Sequence, residues 1–230
     1  MKIKIIGHRG AAGLELENTV TSLKRASNMP VYAIEIDVRI TKDGKLVLCH
    51  DGDLQRVAND SRRISNLTLK ELQSIPLLDG SRLLTLSQAL RVIGSIPVII
   101  EIKDSGSARA VLRTLANFPK AKVRIASFKL AELSLVRSLD SDIFIYLLER
   151  TKPFESIQFA RRMKLDGVGL NYWLLNPLTY WFAKRSALKM YVYTVNYRPL
   201  VHFLGWLYPD VAICTDHPQW FIGSKRRRKK

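Results

Sequence analysis

Cysteine is nearly missing from this chain of 230 residues: only Cys49 and Cys214 occur, each inside an apolar run. Neither has metal-ligand spacing and two thiols make no disulfide framework, so a disulfide-stapled secreted scaffold and a zinc module are both excluded. Two reduced, buried thiols in a cytosolic protein are expected. Long hydrophobic runs are missing too. No stretch reaches the roughly 20 apolar residues that a transmembrane helix requires. The apolar run Ile3 to Ile6 meets His8-Arg9-Gly10 at once, which leaves no room for a cleavable signal. The expectation is a cytoplasmic chain, soluble or peripheral to the inner face of the membrane. Acidic residues are also scarce, with 20 Asp and Glu against 37 Lys and Arg, a net charge of +17. Lys225 to Lys230 are all basic, so six of those charges fall on a short tail and 17 − 6 = 11 remain elsewhere. That surplus favours anionic partners, whether phosphates, nucleic acid or acidic lipid headgroups, without choosing among them.

Internal repeats are absent, and the only low-complexity segment is the tail, 224–230, expected to be disordered. The remaining 1–223 read as one domain. A hydrophobic content of 47% is ample for a single extended core. Short β-branched runs recur with helical patterns between them, at Lys4–Gly7, Tyr32–Val38, Val98–Lys103, Val123–Ser127, Ile143–Leu147, Gly167–Leu170, Met190–Val195 and Val211–Thr215. About eight strands alternating with helices is the pattern of a closed (β/α)8 TIM barrel, an α/β fold of about this length. Thr85-Leu86-Ser87-Gln88 reads as a capping box, followed by Leu86, Ala89, Leu90 and Ile93 on one helical face. Ala108, Val111, Leu112 and Leu115 repeat that spacing, so both helices are expected to pack inward. One small insertion, 41–84, follows the second strand. It holds an extra strand, Leu46–Cys49, and a second capping box, Thr68-Leu69-Lys70-Glu71, opening one brief helix.

Glu35 and Asp37 stand two apart on the second strand, so both face one side of the sheet. Glu101 and Lys103 repeat the arrangement on the third strand. The flanking Ile34, Ile36, Ile100 and Ile102 supply the helix-covered face, which turns the charged set into the barrel near the strand C-terminal ends, where such barrels place active sites. Three carboxylates in a confined space repel one another unless a cation compensates them. All-oxygen ligation by Glu35, Asp37 and Glu101 suits a divalent Mg²⁺ or Ca²⁺ rather than zinc. A metal-free alternative makes Glu101 and Lys103 a structural ion pair.

The chain has only four histidines, yet His8 ends the first strand and His50 ends the insertion strand, so both project over one mouth. Breaking a phosphodiester needs a base for the attacking hydroxyl or water and an acid for the leaving alkoxide. Histidine suits both tasks near neutrality. Arg9 is a natural phosphate clamp, because its planar guanidinium matches two oxygens at once. Gly10 then allows a tight loop. Glu17-Asn18-Thr19 begins the first helix, with Asn18 as the expected cap and Glu17 as a brace for Arg9.

Taken together, these residues resemble the glycerophosphodiester phosphodiesterase family. The resemblance runs through His8-Arg9-Gly10, Glu17-Asn18-Thr19, Glu35-Ile36-Asp37-Val38 with Thr41 and Asp43, and His50-Asp51. It continues through Glu101-Ile102-Lys103, Ser127-Phe128, Tyr193-Thr194-Val195-Asn196 and Thr215-Asp216-His217-Pro218, and so covers essentially the whole chain. It implies that Glu35, Asp37 and Glu101 hold the metal, that His8 and His50 serve as acid and base, and that Arg9 and Lys103 bind phosphate. Glu17, Asn18 and Asn196 would support them. It also implies a reaction yielding sn-glycerol 3-phosphate and an alcohol. Two positions depart from the family pattern: Leu16 replaces a usual proline, and Tyr193 replaces a common tryptophan beside the glycerol or leaving-group site.

Tyr172-Trp173-Leu174-Leu175 and Tyr180-Trp181-Phe182 follow the sixth strand, and Phe203 to Tyr208 follow the seventh. These aromatics either line buried helix faces or form an apolar lip for an acyl chain or a membrane, with the basic tail drawn to acidic headgroups. The second reading adds lysophospholipids to the glycerophosphodiester substrates. Two rival readings stand beside it: a toxin-like phospholipase D that forms cyclic phosphates, and a catalytically dead barrel that binds anionic lipid or nucleic acid. The intact constellation argues against the second, and nucleic acid is not the expected partner. The sequence leaves the oligomeric state open.

Overall fold

The computed structural model describes residues 3–221; the basic tail lies outside them. Eight parallel strands form the ring: β1 (Lys4–Gly7), β2 (Ala33–Ile40), β6 (Val98–Ile102), β7 (Val123–Ser127), β8 (Phe144–Glu149), β9 (Gly167–Asn171), β10 (Lys189–Tyr193) and β11 (Ala212–Thr215). The ring closes where β1 meets both β11 and β2, with Gly7 opposite Thr215 and Ile34. Helices α1 (Val20–Ser27), α4 (Leu86–Ile93), α5 (Ala108–Leu115), α6 (Leu130–Leu139), α7 (Pro153–Arg162), α8 (Pro177–Arg185) and α9 (Arg198–Leu207) fill the crossovers. The TIM barrel expected from the alternation is therefore present, with strand boundaries within about two residues of those predicted.

Strand alternation sorts the core into two layers. Ile34, Ile36, Ile100 and Ile102 join the helices in the outer layer, together with Leu86, Ala89, Leu90 and Ile93 of α4. On α5, Ala108 and Val111 are fully buried, whereas Leu112 and Leu115 pack against the core from its edge. Ile6, Ile99, Leu148 and Tyr191 fill the barrel interior. A Cβ on Gly167 would lie 2.6 Å from the Tyr146 ring, and one on Gly169 equally close to Tyr191. These two glycines of β9 thus make room for the two rings, which meet edge to face at 4.9 Å.

The insertion is richer than expected. β2 outruns the ring and turns back as the antiparallel β3 (Leu46–Leu48), with Ile40 opposite Leu46. A two-stranded ribbon of β4 (Asp53–Leu54) and β5 (Asp60–Arg63) flanks a single helical turn, α2 (Gln55–Ala58), before α3 (Leu69–Ser74). α3 and its capping box stand where the sequence pattern places them, whereas α2 has no such pattern. Four residues with only Val57 buried show no helical period, and the polar ribbon shows no strand pattern. Val47, Cys49, Leu54, Ile64 and Leu72 give the insertion a small core of its own. Among the described residues no helix is long and apolar enough to cross a membrane.

Candidate active site

Strand register brings the acids together. Asp37 of β2 sits directly opposite Glu101 of β6, and Glu35 lies one inward-facing position below. Each of the three offers an oxygen, and these oxygens lie within 4.8 Å of one another. Glu35 and Asp37 are buried and Glu101 nearly so. Burial raises the Glu35 and Glu101 carboxyls, and the charge of Asp37 raises both further. Burial would lift Asp37 as well, but Lys103 and Arg9 hold it far below the ordinary carboxylate range. Buried carboxyls that resist ionising beside an ionised neighbour are what a bound cation relieves, so the donor set fits a hard divalent ion.

Lys103 reaches into the same cluster, with Nζ 2.7 Å from Glu101 Oε1 and 3.1 Å from Asp37 Oδ1. Burial disfavours the ammonium, yet Asp37 and Glu101 outweigh it and keep Lys103 protonated. The Glu101–Lys103 ion pair of the metal-free alternative is therefore present. It leaves Glu35, which faces the His8 Nε2 at 3.9 Å, without a Lys or Arg side-chain partner among the described residues.

His8 leaves the end of β1, and its ring Nδ1 lies 2.6 Å from Asp216 Oδ1, just past the end of β11. Asn196 donates to the other Asp216 oxygen and accepts from Thr215 Oγ and the Asp216 N–H. This chain orients the imidazole so that Nε2 points toward the carboxylates. Burial would lower the His8 pKa, but the Asp216 hydrogen bond and Glu35 raise it above the ordinary value. His50 behaves oppositely. Burial lowers its pKa, and Lys103 and Arg9 add to that against Asp37 and Asp51. Its Nδ1 lies 2.7 Å from Asp51 Oδ1. Two imidazoles pushed in opposite directions are a ready division into acid and base.

Arg9 takes a left-handed backbone (φ 50) that turns its own N–H to Glu35 Oε2 at 3.0 Å. Its Nη1 contacts both Glu17 oxygens at 2.9 Å and its Nε lies 3.1 Å from Asp37 Oδ2. Glu17 thus holds the Arg9 guanidinium, and Arg56 forks onto the same carboxylate at 2.6 and 2.8 Å. The expected cap does not hold. Thr19 caps α1 by accepting from the Ser22 N–H, while Asn18 adopts a left-handed backbone (φ 57). From there the Asn18 amide donates to Asp37 Oδ2 at 3.1 Å. Asn tolerates that conformation, and its two-sided amide serves the carboxylate better than a helix end that a threonine can close.

Asp216, Asp51, Arg39 and Arg56 carried no assigned role from sequence. An acid directly after a barrel strand is a usable signal for Asp216. No local signal marks Arg39, whose partners are the His50 carbonyl in the insertion and Asp104 beyond β6. Beneath the carboxylates a cavity of about 20 Å³ is lined by His8, Glu35, Glu101, Leu148, Tyr191, Tyr193 and Cys214. Tyr193, at the position where the resemblance leads to tryptophan, donates its hydroxyl to the Glu149 carbonyl at 2.9 Å.

A parallel barrel with two histidines, a carboxylate cluster and the cations Arg9 and Lys103 at its strand ends has the make-up of a TIM-barrel enzyme site. The model of the Glycerophosphoryl diester phosphodiesterase family matches residues 8–220, and the chain belongs to that family. It is 28% identical to the glycerophosphodiester phosphodiesterase of Caldanaerobacter subterraneus subsp. tengcongensis, over 99% of each chain. A shorter match, 41% identical over 69 residues, links it to human Lysophospholipase D GDPD1, covering 30% of this chain and 22% of that one. Among solved structures, a glycerophosphodiester phosphodiesterase from Parabacteroides distasonis superposes with a TM-score of 0.83 at 25% identity, covering 96% and 95% of the two chains.

Proposed function

We propose that this chain hydrolyses glycerophosphodiesters to glycerol 3-phosphate and an alcohol, using a divalent cation held by Glu35, Asp37 and Glu101. The observation that carries the reading is the meeting of these three oxygens within 4.8 Å at a mouth shared with His8. When bound, the cation supplies Lewis-acid polarisation of a phosphoryl oxygen. Arg9 and Lys103, both kept charged by the carboxylates around them, draw the phosphate into the mouth and stabilise the charge that builds on its oxygens. Of His8 and His50, one takes the proton from the attacking oxygen as that oxygen bonds to phosphorus. The other returns a proton to the alkoxide as its P–O bond breaks. Water and the glycerol 2-hydroxyl are both served by this arrangement, and a transient cyclic phosphate would identify the second. The test is hydrolysis of glycerophosphocholine and glycerophosphoethanolamine before and after chelation. Activity lost on chelation and restored by Mg²⁺ or Ca²⁺ is expected, and full activity after complete stripping would overturn it.

Lysophospholipids extend the substrate range in this proposal. Trp173, 77% exposed, follows β9 at the mouth side of the barrel and supports the reading of an apolar lip for an acyl chain. Choline release from lysophosphatidylcholine tests it, and release from glycerophosphocholine alone would confine the enzyme to deacylated diesters.

A further inference from the structure

Every exposed aromatic among the described residues falls between Phe154 and Trp206. Helices α1, α4 and α5 expose no large apolar side chain, whereas α8 and α9 display them outward. Leu178 and Trp181 share a face of α8, and Trp181 is 52% exposed. Phe203 and Trp206 share a face of α9, at 54% and 77% exposure, with ring centroids 6.4 Å apart. Rings also pack the neighbouring elements against one another. Phe154 of α7 meets Phe182 of α8 edge-on at 5.7 Å, and Tyr180 of α8 meets Tyr208 at 5.0 Å. An apolar flank of this kind marks a contact surface rather than ordinary scatter.

Charge selects its partner. From Pro153 to Leu207 the chain holds seven Lys and Arg against two acids, Glu155 and Asp166. Asp166 is already paired with Arg137, and Asp210, just beyond α9, pairs with Lys184, which leaves Arg185 and Arg198 as the cations of these two helices without an acidic partner among the described residues. Lys184 and Arg185 close α8, Arg198 opens α9, and the Arg185 guanidinium stands 5.3 Å from the Trp181 ring centroid. Tryptophan beside arginine and lysine is the composition of a surface that sits at lipid headgroup level. A second copy of this chain, itself carrying +17, would bring like-charged flanks together.

We propose that the α8–α9 flank docks on the surface of an anionic lipid bilayer. Trp181, Phe203 and Trp206 enter the boundary between headgroups and acyl chains, and Arg185 and Arg198 meet the phosphates. Trp173 and Tyr197, in the connections from β9 and β10 into these helices, then bring the mouth to the edge of the interface. This deepens the reading under Proposed function, because substrates bearing acyl chains arrive from the same plane.

The test is co-sedimentation of the full chain with vesicles of phosphatidylcholine, alone or mixed with phosphatidylglycerol. The wild type is expected to partition onto the mixed vesicles. The variant Trp181→Gln/Phe203→Gln/Trp206→Gln is expected to bind about tenfold more weakly or worse and to hydrolyse dissolved glycerophosphocholine as the wild type does. Trp206→Gln alone gives the same reading, in smaller measure, if the triple variant melts early. Absence of wild-type partitioning, or equal partitioning of the variant, overturns the proposal. So does a dimer in light scattering that the triple variant dissolves, which would assign the flank to a second copy. Hydrolysis without vesicle binding removes the docking alone. Vesicle binding without hydrolysis of any glycerophosphodiester removes the reaction alone.

Discussion

Arg39 holds the main chain of His50 in place: its Nε and Nη2 lie 3.0 and 2.7 Å from the His50 carbonyl oxygen. Its Nη1 lies 2.5 Å from Asp104 Oδ1, and the other Asp104 oxygen accepts the Ile40 N–H at 3.0 Å. Arg39 leaves β2 on the same side as Glu35 and Asp37, so the strand that carries two acids also holds the backbone of His50. Arg39→Ala should lower kcat for glycerophosphocholine by about 10²-fold, the cost of a misplacement near 1 Å, while moving KM much less. Arg39→Lys should recover part of the loss. An unchanged kcat would mean that the packing of the insertion alone positions His50.

The opposite pKa directions of His8 and His50 predict unequal responses to the leaving group. His8→Ala and His50→Ala should each cut turnover of glycerophosphocholine by about 10²–10⁴-fold without lowering Tm appreciably. With a p-nitrophenyl diester, whose phenolate leaves unprotonated, the variant lacking the acid should recover most of its rate. The variant lacking the base should not. Asp216→Asn, which removes the charge behind His8, should cost about 10–100-fold. Equal losses for both histidine variants on both substrates would dissolve the division of labour.

What sequence disclosed follows from how local the signals are. Glu35 and Asp37 share a face by simple alternation, and Glu101 joins them because β6 is the next barrel strand after β2. Those two rules suffice to draw the acid cluster. Asp216 reaches His8 across the closure of the barrel, 208 residues away along the chain, and only the closed ring reveals that contact. Asn18 departs from the cap its sequence suggests for a related reason. Its local context is that of a helix cap, whereas its partner is Asp37 on another element. The insertion hid most, since one-turn α2 and the polar β4–β5 ribbon take their form from tertiary contacts rather than from periodicity.

The two thiols give a pH-dependent prediction. Burial pushes Cys49 up to about 12 and Cys214 well above the ordinary thiol value. Neither thiol should react with a disulfide reagent in the native protein at pH 8, and both should react after denaturation. Because the folded values are raised, their contribution to stability is fully present below the ordinary thiol pKa of about 8.5. It is lost as pH rises from there through the folded values. A native thiol titre of one or more at pH 8 would contradict the burial.

Gly10 supplies a stability prediction tied to the site. It follows Arg9 at φ 92, and a Cβ there would lie 2.5 Å from Ser22 Oγ and 2.7 Å from the Ser22 carbonyl carbon. Ser22 cannot give way easily, because its hydroxyl joins the Arg9 carbonyl at 2.8 Å and the Ala11 N–H at 2.9 Å. Gly10→Ala therefore combines left-handed strain of about 1–2 kcal/mol with overpacking of about 1–3 kcal/mol. Its Tm should drop clearly. Gly44→Ala is the control: φ is again positive at 72, but nothing lies within 4 Å of its Cβ, so only the backbone cost remains. A Gly10→Ala protein no less stable than Gly44→Ala would mean that the first loop and α1 are not packed as described.

Metal removal separates the carboxylate cage from the ion pair that it contains. If Glu101 and Lys103 form a structural bridge only, Glu35→Gln should leave both activity and Tm near the wild-type values, because Glu35 takes no part in that pair. If the three carboxylates hold a cation, Glu35→Gln removes one of its charged ligands. Mg²⁺ or Ca²⁺ should then raise the wild-type Tm, by mass action on the folded state, and raise that of the variant much less. Turnover should fall with the lost affinity and recover in part at high metal concentration. Differential scanning calorimetry with and without each ion, beside the chelation assay, reads both effects. A wild-type Tm indifferent to both ions, together with an active Glu35→Gln enzyme, would leave Lys103 as the cation that the cluster was built around.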